Sequence, residues 1–159
     1  MKEKSLLQEL ESKFPQLEGK AVIQRARRIF VDVPHDSFYE VFDFSVKNLG
    51  CTMLCTLTGI DEDVMLAVIY NLGRDDGILI NLIVRVPKEA PVLKSVSSYF
   101  PNAVLYEREL VDLFGMKVEG LPEGYRYPLP DNWPEGQFPL RKDWKQNHDN
   151  AGKEVQSDG

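Results

Sequence analysis

The chain has 159 residues, 43% of them hydrophobic, which suffices for one domain with a packed core and gives no support for a second. Its 25 acidic residues outnumber the 19 basic ones, for a formal net charge of -6, which argues against general binding to phosphate backbones and so against a nucleic-acid partner. The longest near-continuous apolar run, Ile78 to Val86, falls well short of the ~18 residues that suggest a membrane span. Met1 to Lys13 carries scattered charges and no separate apolar core, so no secretory signal is expected and a cytoplasmic location follows.

Ser5 with Gln8 forms a capping-box pattern, and Leu6, Leu7, Leu10 and Phe14 make a helical stripe that Pro15 ends. Lys20 to Arg25 and Arg28 to Val33 read as strands, with Ile29, Val31 and Val33 on one face. Ser37 and Glu40 make a second capping box. It opens a helix in which Phe38, Val41, Phe42, Ser45 and Leu49 recur until Gly50 stops it. Cys51 to Thr58, Val64 to Leu72 and Ile78 to Val86 then read as an antiparallel meander, broken at 59–63 and at the hairpin turn 73–77. Pro91 suits the first turn of a helix carrying Leu93, Val96 and Phe100, and Asn102 suits the cap of the next. From Gly115 to Trp144 prolines and glycines suppress regular structure, and the polar stretch 146–159 reads as a disordered tail.

The pattern predicts an α+β domain over 1–115, a mostly antiparallel sheet with helices packed on one face. A proline-rich extended arm over 116–145 and the polar tail follow it. Cys51 and Cys55, four apart, share a face on a regular strand and read as two reduced core thiols. An iron-sulfur cluster normally needs four thiolates, so this chain alone cannot house one. His35 and His148 lack the neighbours of a metal site, and Asp61-Glu62-Asp63 lacks the alternation and glycine of a calcium loop. Arg25, Arg27 and Arg28 form a small basic group that solvent can satisfy. No active site is predicted.

On a helix, Tyr106, Leu110, Leu113 and Phe114 form one apolar face, and Arg108 and Asp112 pair at i, i+4 for about 0.3–0.5 kcal/mol. Glu107 projects into the apolar arc. It either snorkels to water or, if buried, needs backbone donors or a guanidinium, with Arg126 and Arg141 as candidates that would fasten the arm to this helix. Gly115 is the expected helix stop. The arm's aromatic residues, Tyr125 to Trp144, need a surface, which its own domain or a partner can supply.

Glu107-Arg108-Glu109-Leu110-Val111-Asp112-Leu113-Phe114-Gly115-Met116, followed by Pro139-Leu140-Arg141-Lys142-Asp143-Trp144, resembles the signature of the 30 kDa subunit family of respiratory complex I, the NADH-quinone oxidoreductase. That family includes related subunits of energy-converting membrane-bound hydrogenases, whose versions Tyr127 to Trp133 resembles more closely. The resemblance implies a non-catalytic scaffold subunit of an NADH dehydrogenase-like or hydrogenase-like oxidoreductase complex, peripheral on the cytoplasmic side of the membrane. It implies no cofactor in this chain, with iron-sulfur clusters and other redox cofactors in partners: a large hydrogenase-like subunit and iron-sulfur subunits. By the same resemblance Glu107, Arg108, Asp112, Phe114 and Gly115 fix the helix and its turn, and Glu109 belongs with them to the family signature and subunit interface. Pro139, Arg141, Lys142 and Asp143 would anchor the arm to this domain or to the large subunit, and Trp133 and Leu140 count with them in the signature and subunit interface. The rival expectation is a free-standing α+β ligand-binding domain whose arm acts as a lid.

Overall fold

In the computed structural model, which describes residues 2–146, five strands form one sheet: β1 (Ala21–Arg25), β2 (Arg28–Val33), β3 (Cys51–Glu62), β4 (Met65–Arg74) and β5 (Leu79–Pro87). Their spatial order is β1-β2-β5-β4-β3, and every neighbouring pair is antiparallel except β2 with β5. That one parallel pair follows from the connection, because the chain leaves β2 for the helix α2 (Phe38–Lys47) and the β3–β4 hairpin before returning. Helices α1 (Lys2–Lys13) and α3 (Ala103–Phe114), and a small parallel pair, β6 (Val92–Lys94) with β7 (Lys117–Glu119), complete the architecture. The fold is α+β with a mostly antiparallel sheet, as expected. Residues 147–159 of the predicted tail, His148 among them, lie outside the described residues.

Alternation on the strands sends Ile29, Val31 and Val33 of β2, Leu66, Val68, Tyr70 and Leu72 of β4, and Ile80, Leu82, Val84 and Val86 of β5 to one face. There they meet Leu6 and Leu10 of α1, Val41 and Phe42 of α2, and Leu110 and Phe114 of α3. Phe42 is the hub of an aromatic cluster, edge-on to Tyr70 at 5.7 Å and to Tyr99 at 5.5 Å. Each fully buried side chain of this size contributes about 1.5–3 kcal/mol.

Four local expectations differ from the structure. Helix α1 begins at Lys2, ahead of Ser5, because Glu3 Oε1 accepts a hydrogen bond from the Arg27 backbone N–H at 2.8 Å and anchors an earlier turn. Strand β3 runs through Gly59 to Glu62, and the break shrinks to a turn at Asp63, whose φ is 71°. Gly59 serves as a place of close approach, since a Cβ there would lie 2.5 Å from the Phe114 ring. The segment after Pro91 forms β6 in place of a helix, because β7 offers it a ladder: Lys117 N–H donates to Pro91 O and Ser95 N–H to Glu119 O, each at 2.8 Å. β7 is therefore a regular element inside the arm.

The fourth difference separates the cysteines: Cys51 is buried and Cys55 exposed. Strand β3 bulges between Cys51 and Met53 and again between Leu54 and Thr56, so the simple two-residue alternation fails between them. Burial pushes the Cys51 thiol up to about 12. In native buffer near pH 8, one thiol equivalent should react promptly with a disulfide reagent and the second only after unfolding, and Cys55→Ser should abolish the prompt phase. Two equivalents reacting at one rate would contradict the bulged geometry.

Candidate functional site

The signature helix α3 is held at both ends by its surroundings. Asn102, expected as a side-chain cap, instead donates from Nδ2 to Leu54 O at 2.9 Å and ties the helix start to β3. At the other end Gly115 adopts a left-handed φ of 69°, and its N–H returns to the carbonyls of Leu110 and Val111. The Phe138 ring rests on Gly115, where any Cβ would stand. Arg141 lies over that ring, its guanidinium carbon 4.9 Å from the centroid, and its Nε donates to Phe114 O at 2.6 Å. Leu140 N–H donates to Leu113 O at 3.1 Å. The second signature segment thus supplies donors and a cation to the carbonyl end of the first, where the helix has orphan acceptors and partial negative charge.

Gly115→Ala would place a side chain in the left-handed region and against Phe138 at once, so it should lower stability by about 1–3 kcal/mol. Both tryptophans of the chain, Trp133 and Trp144, lie in the arm. Their emission should therefore shift to the red and the arm become sensitive to protease, and an alanine variant with native emission and native stability would refute the contact.

Beyond Arg141 the arm reaches the acidic cluster at the end of β3. Asp61, only 6% exposed, accepts from Lys88 Nζ at 2.7 Å, the Lys142 N–H at 2.8 Å and the Asp63 N–H at 2.9 Å. Burial alone would push its carboxyl up, but Lys88 and the two N–H groups outweigh burial and hold it at about 2. Lys88 also meets Asp143 at 2.8 Å, and Lys142 Nζ meets Asp63 at 3.2 Å. Glu62 pairs with Arg85. This cluster is the seat of the arm, and among the described residues no group of three or more His, Cys, Asp or Glu is arranged to hold a metal ion.

The expected Arg108–Asp112 pair does not form, because each residue grips the arm. Asp112, buried, takes Arg126 Nε at 3.3 Å to both oxygens and the Leu129 N–H at 3.2 Å. Arg126 Nη1 donates in turn to Trp133 O at 2.9 Å. Arg108 Nη2 donates to Pro122 O at 3.4 Å and Glu123 O at 3.2 Å. Trp133 and Trp144 both donate to Gln137, and their rings lie 6.0 Å apart. Glu109 is half-buried, and no hydrogen bond of its side chain is seen among the described residues.

Glu107 is 0% exposed, and neither Arg126 nor Arg141 reaches it, so the expected tether between it and the arm is absent. Ser95 Oγ donates to its Oε2 at 2.6 Å and the Val96 N–H to its Oε1 at 2.7 Å. Burial raises its pKa, against the pull of those two donors. Ser95, Lys88 and Gly124 carry the site without having been singled out in the sequence: each is distant from its partner, and none belongs to a local pattern. Between α3 and the arm lies an open cleft of about 610 Å³, lined by Arg108, Asp112, Lys117, Tyr125, Arg126 and Tyr127 among others.

These features define a small α+β domain whose last helix is clasped by its own C-terminal arm through two separated sequence segments. The family described as "Respiratory-chain NADH dehydrogenase, 30 Kd subunit" matches residues 31–150, and the chain belongs to it. A subunit of the F(420)H(2) dehydrogenase of Methanosarcina mazei is 32% identical over 148 residues, covering 91% of this chain and 93% of that one. The beta subunit of the membrane-bound hydrogenase of Pyrococcus furiosus is 30% identical over 124 residues, covering 74% of this chain and 70% of that one. A chain of the membrane-bound sulfane sulfur reductase, an archaeal respiratory membrane complex, shares the fold with a TM-score of 0.80 at 23% identity, covering 91% of this chain and 86% of that one. The relatives are thus subunits of oxidoreductase complexes, some of them membrane-bound. No helix among the described residues is long and apolar enough to cross a membrane.

Proposed function

We propose that this chain is a non-catalytic scaffold subunit of a membrane-associated redox complex of the NADH-quinone oxidoreductase or energy-converting hydrogenase type. It binds a large hydrogenase-like subunit and iron-sulfur subunits on the cytoplasmic face, and electrons pass through cofactors that those partners hold. The observation that carries the reading is the clasp. Asp61, Asp112 and the carbonyl end of α3 are spent on fixing the arm, which leaves Tyr125, Tyr127 and Leu140 displayed on a backbone already ordered. An arm ordered before docking loses little entropy on binding, and Tyr and Trp side chains dominate interface energetics.

The test is purification of the tagged chain from membranes of its host in mild detergent. A hydrogenase-like large subunit and iron-sulfur polypeptides should accompany it in fixed ratio, with iron assigned to them after separation. Recovery of the chain as a monomer without companions, or turnover of an electron donor by the isolated chain, would overturn the proposal.

A further inference from the structure

We infer that the cleft between α3 and residues 121–127 of the arm receives an acidic side chain of the protein on which this chain docks. The inference rests on the scaffold reading and names the part of the surface a partner grips.

One arginine in the cleft has no carboxylate partner among the described residues. Of the two arginines that line the cleft, Arg126 pairs with Asp112. Arg108 differs. Half-buried, it has no carboxylate partner among the described residues, only two backbone carbonyls, and both of those fall on Nη2. A guanidinium has five donors, and Nε and Nη1 of Arg108 make no hydrogen bond among the described residues, so these are left to whatever enters the cleft. Lys117 opens from β7 onto the same cleft, its only ion pair among the described residues a loose one with Glu119 at 3.6 Å. In a chain of net charge -6 this cleft is lined by three cations and two carboxylates; Asp112 is already taken by Arg126, and Glu123 is exposed and turned to solvent without an ion pair among the described residues, which leaves the cleft with an excess of one positive charge.

The Arg108 guanidinium is also held in place. Pro122 and Glu123 supply carbonyls, and the next residue, Gly124, has the guanidinium where a side chain would be. Three consecutive arm residues therefore form a seat that fixes the group before any ligand arrives. A fixed guanidinium with donors to spare suits a charge-assisted hydrogen bond from Nη1 to a carboxylate and loses little rotamer entropy in making it. The occupant is a protein segment, not a free anion, because Tyr125, 89% exposed, and Tyr127 line the same cleft. An inorganic anion would use the guanidinium and leave both rings in water, whereas an acidic side chain on a folded surface covers them.

The experiment uses the native assembly carrying the tagged chain, treated with a zero-length carbodiimide and analysed by mass spectrometry. Lys117 should be joined to an Asp or Glu of another polypeptide. Arg108→Lys, which keeps the charge and loses the seated guanidinium, and Gly124→Ala, which removes the seat and keeps the arginine, should each weaken retention of the chain by about tenfold or more. Their urea midpoints should fall only slightly, since the bonds of Arg108 to the arm are exposed ones that solvent can replace. If a partner co-purifies while Lys117 links only to its own Glu119 or to nothing, or both variants are retained like the parent chain, this inference fails and the scaffold reading stands. If no partner co-purifies, both fail.

Discussion

Glu107→Ala is expected to destabilise the chain by about 3–5 kcal/mol, read as a lower urea midpoint at unchanged slope. The carboxylate is wholly buried, and removing it leaves the Val96 N–H without its acceptor and the Ser95 hydroxyl with only Ser97 Oγ, 2.7 Å away. Each buried group left unsatisfied costs about 1–3 kcal/mol, and the lost methylene stem adds a cavity between α3 and the turn after β6. Glu107→Gln should behave differently. Its amide keeps an oxygen for Val96 and offers an NH2 to Ser95 Oγ, so stability near pH 7 should be equal or higher. The pH dependence separates the two states of the acid. Burial raises the folded-state pKa above the unfolded 4.5, so the folded chain binds the proton more tightly. Stability from this group is therefore greatest at low pH and declines as pH rises from 4.5 through the folded value. The difference between parent and Gln variant isolates that slope from the other carboxyls, and a difference flat from about pH 4 to 8 would show that Glu107 ionises without penalty.

The anomaly of Glu107 was legible in the sequence, because at 100° per residue it falls among Leu110, Val111 and Phe114. Its partners were not. They come from Ser95 and Val96, in a stretch whose Leu93, Val96 and Phe100 have helical spacing, and only the distant ladder with β7 decides that the stretch is a strand and turns. The same contest between local and distant terms explains Arg108 and Asp112. A surface i, i+4 pair is worth about 0.3–0.5 kcal/mol, less than satisfying a buried carboxylate with a guanidinium and a backbone N–H. The central strands were readable because Ile29, Val31 and Val33, and the apolar runs of β4 and β5, obey the two-residue period that one-sided burial imposes. Cys51 and Cys55 mark where that period breaks, since a bulge has no signature in composition. Gly59 looked like part of a turn beside Asp61 and Asp63, and only the Phe114 ring packed on it explains a glycine inside a strand. The arm's docking on its own domain was one of two readings left open, because nothing near Lys142 in sequence points to Asp61, 81 residues away.

Acid should release the arm before it unfolds the sheet, and Asp61 should be the group responsible. Its folded-state value of about 2 lies below the unfolded 3.8, so its stabilising contribution is complete above the unfolded value. It is lost as pH falls from about 4 towards 2, when protonation turns off the Lys88 ion pair and weakens the acceptor for the Lys142 N–H. Tryptophan emission, which comes from the arm alone, should show this transition at higher pH than circular dichroism of the sheet. Asp61→Ala should impose the loss at every pH and cost about 3 kcal/mol, near the lower end for breaking a buried ion pair, because Lys88 retains Asp143. Asp143→Ala should cost far less, since that carboxylate is 68% exposed and solvent screens its pair with Lys88. The ordering is the test: equal effects at the two positions, or an acid transition of the tryptophans that persists unchanged in Asp61→Ala, would mean that the arm is held by its aromatic contacts with Gly115 and not by the buried carboxylate.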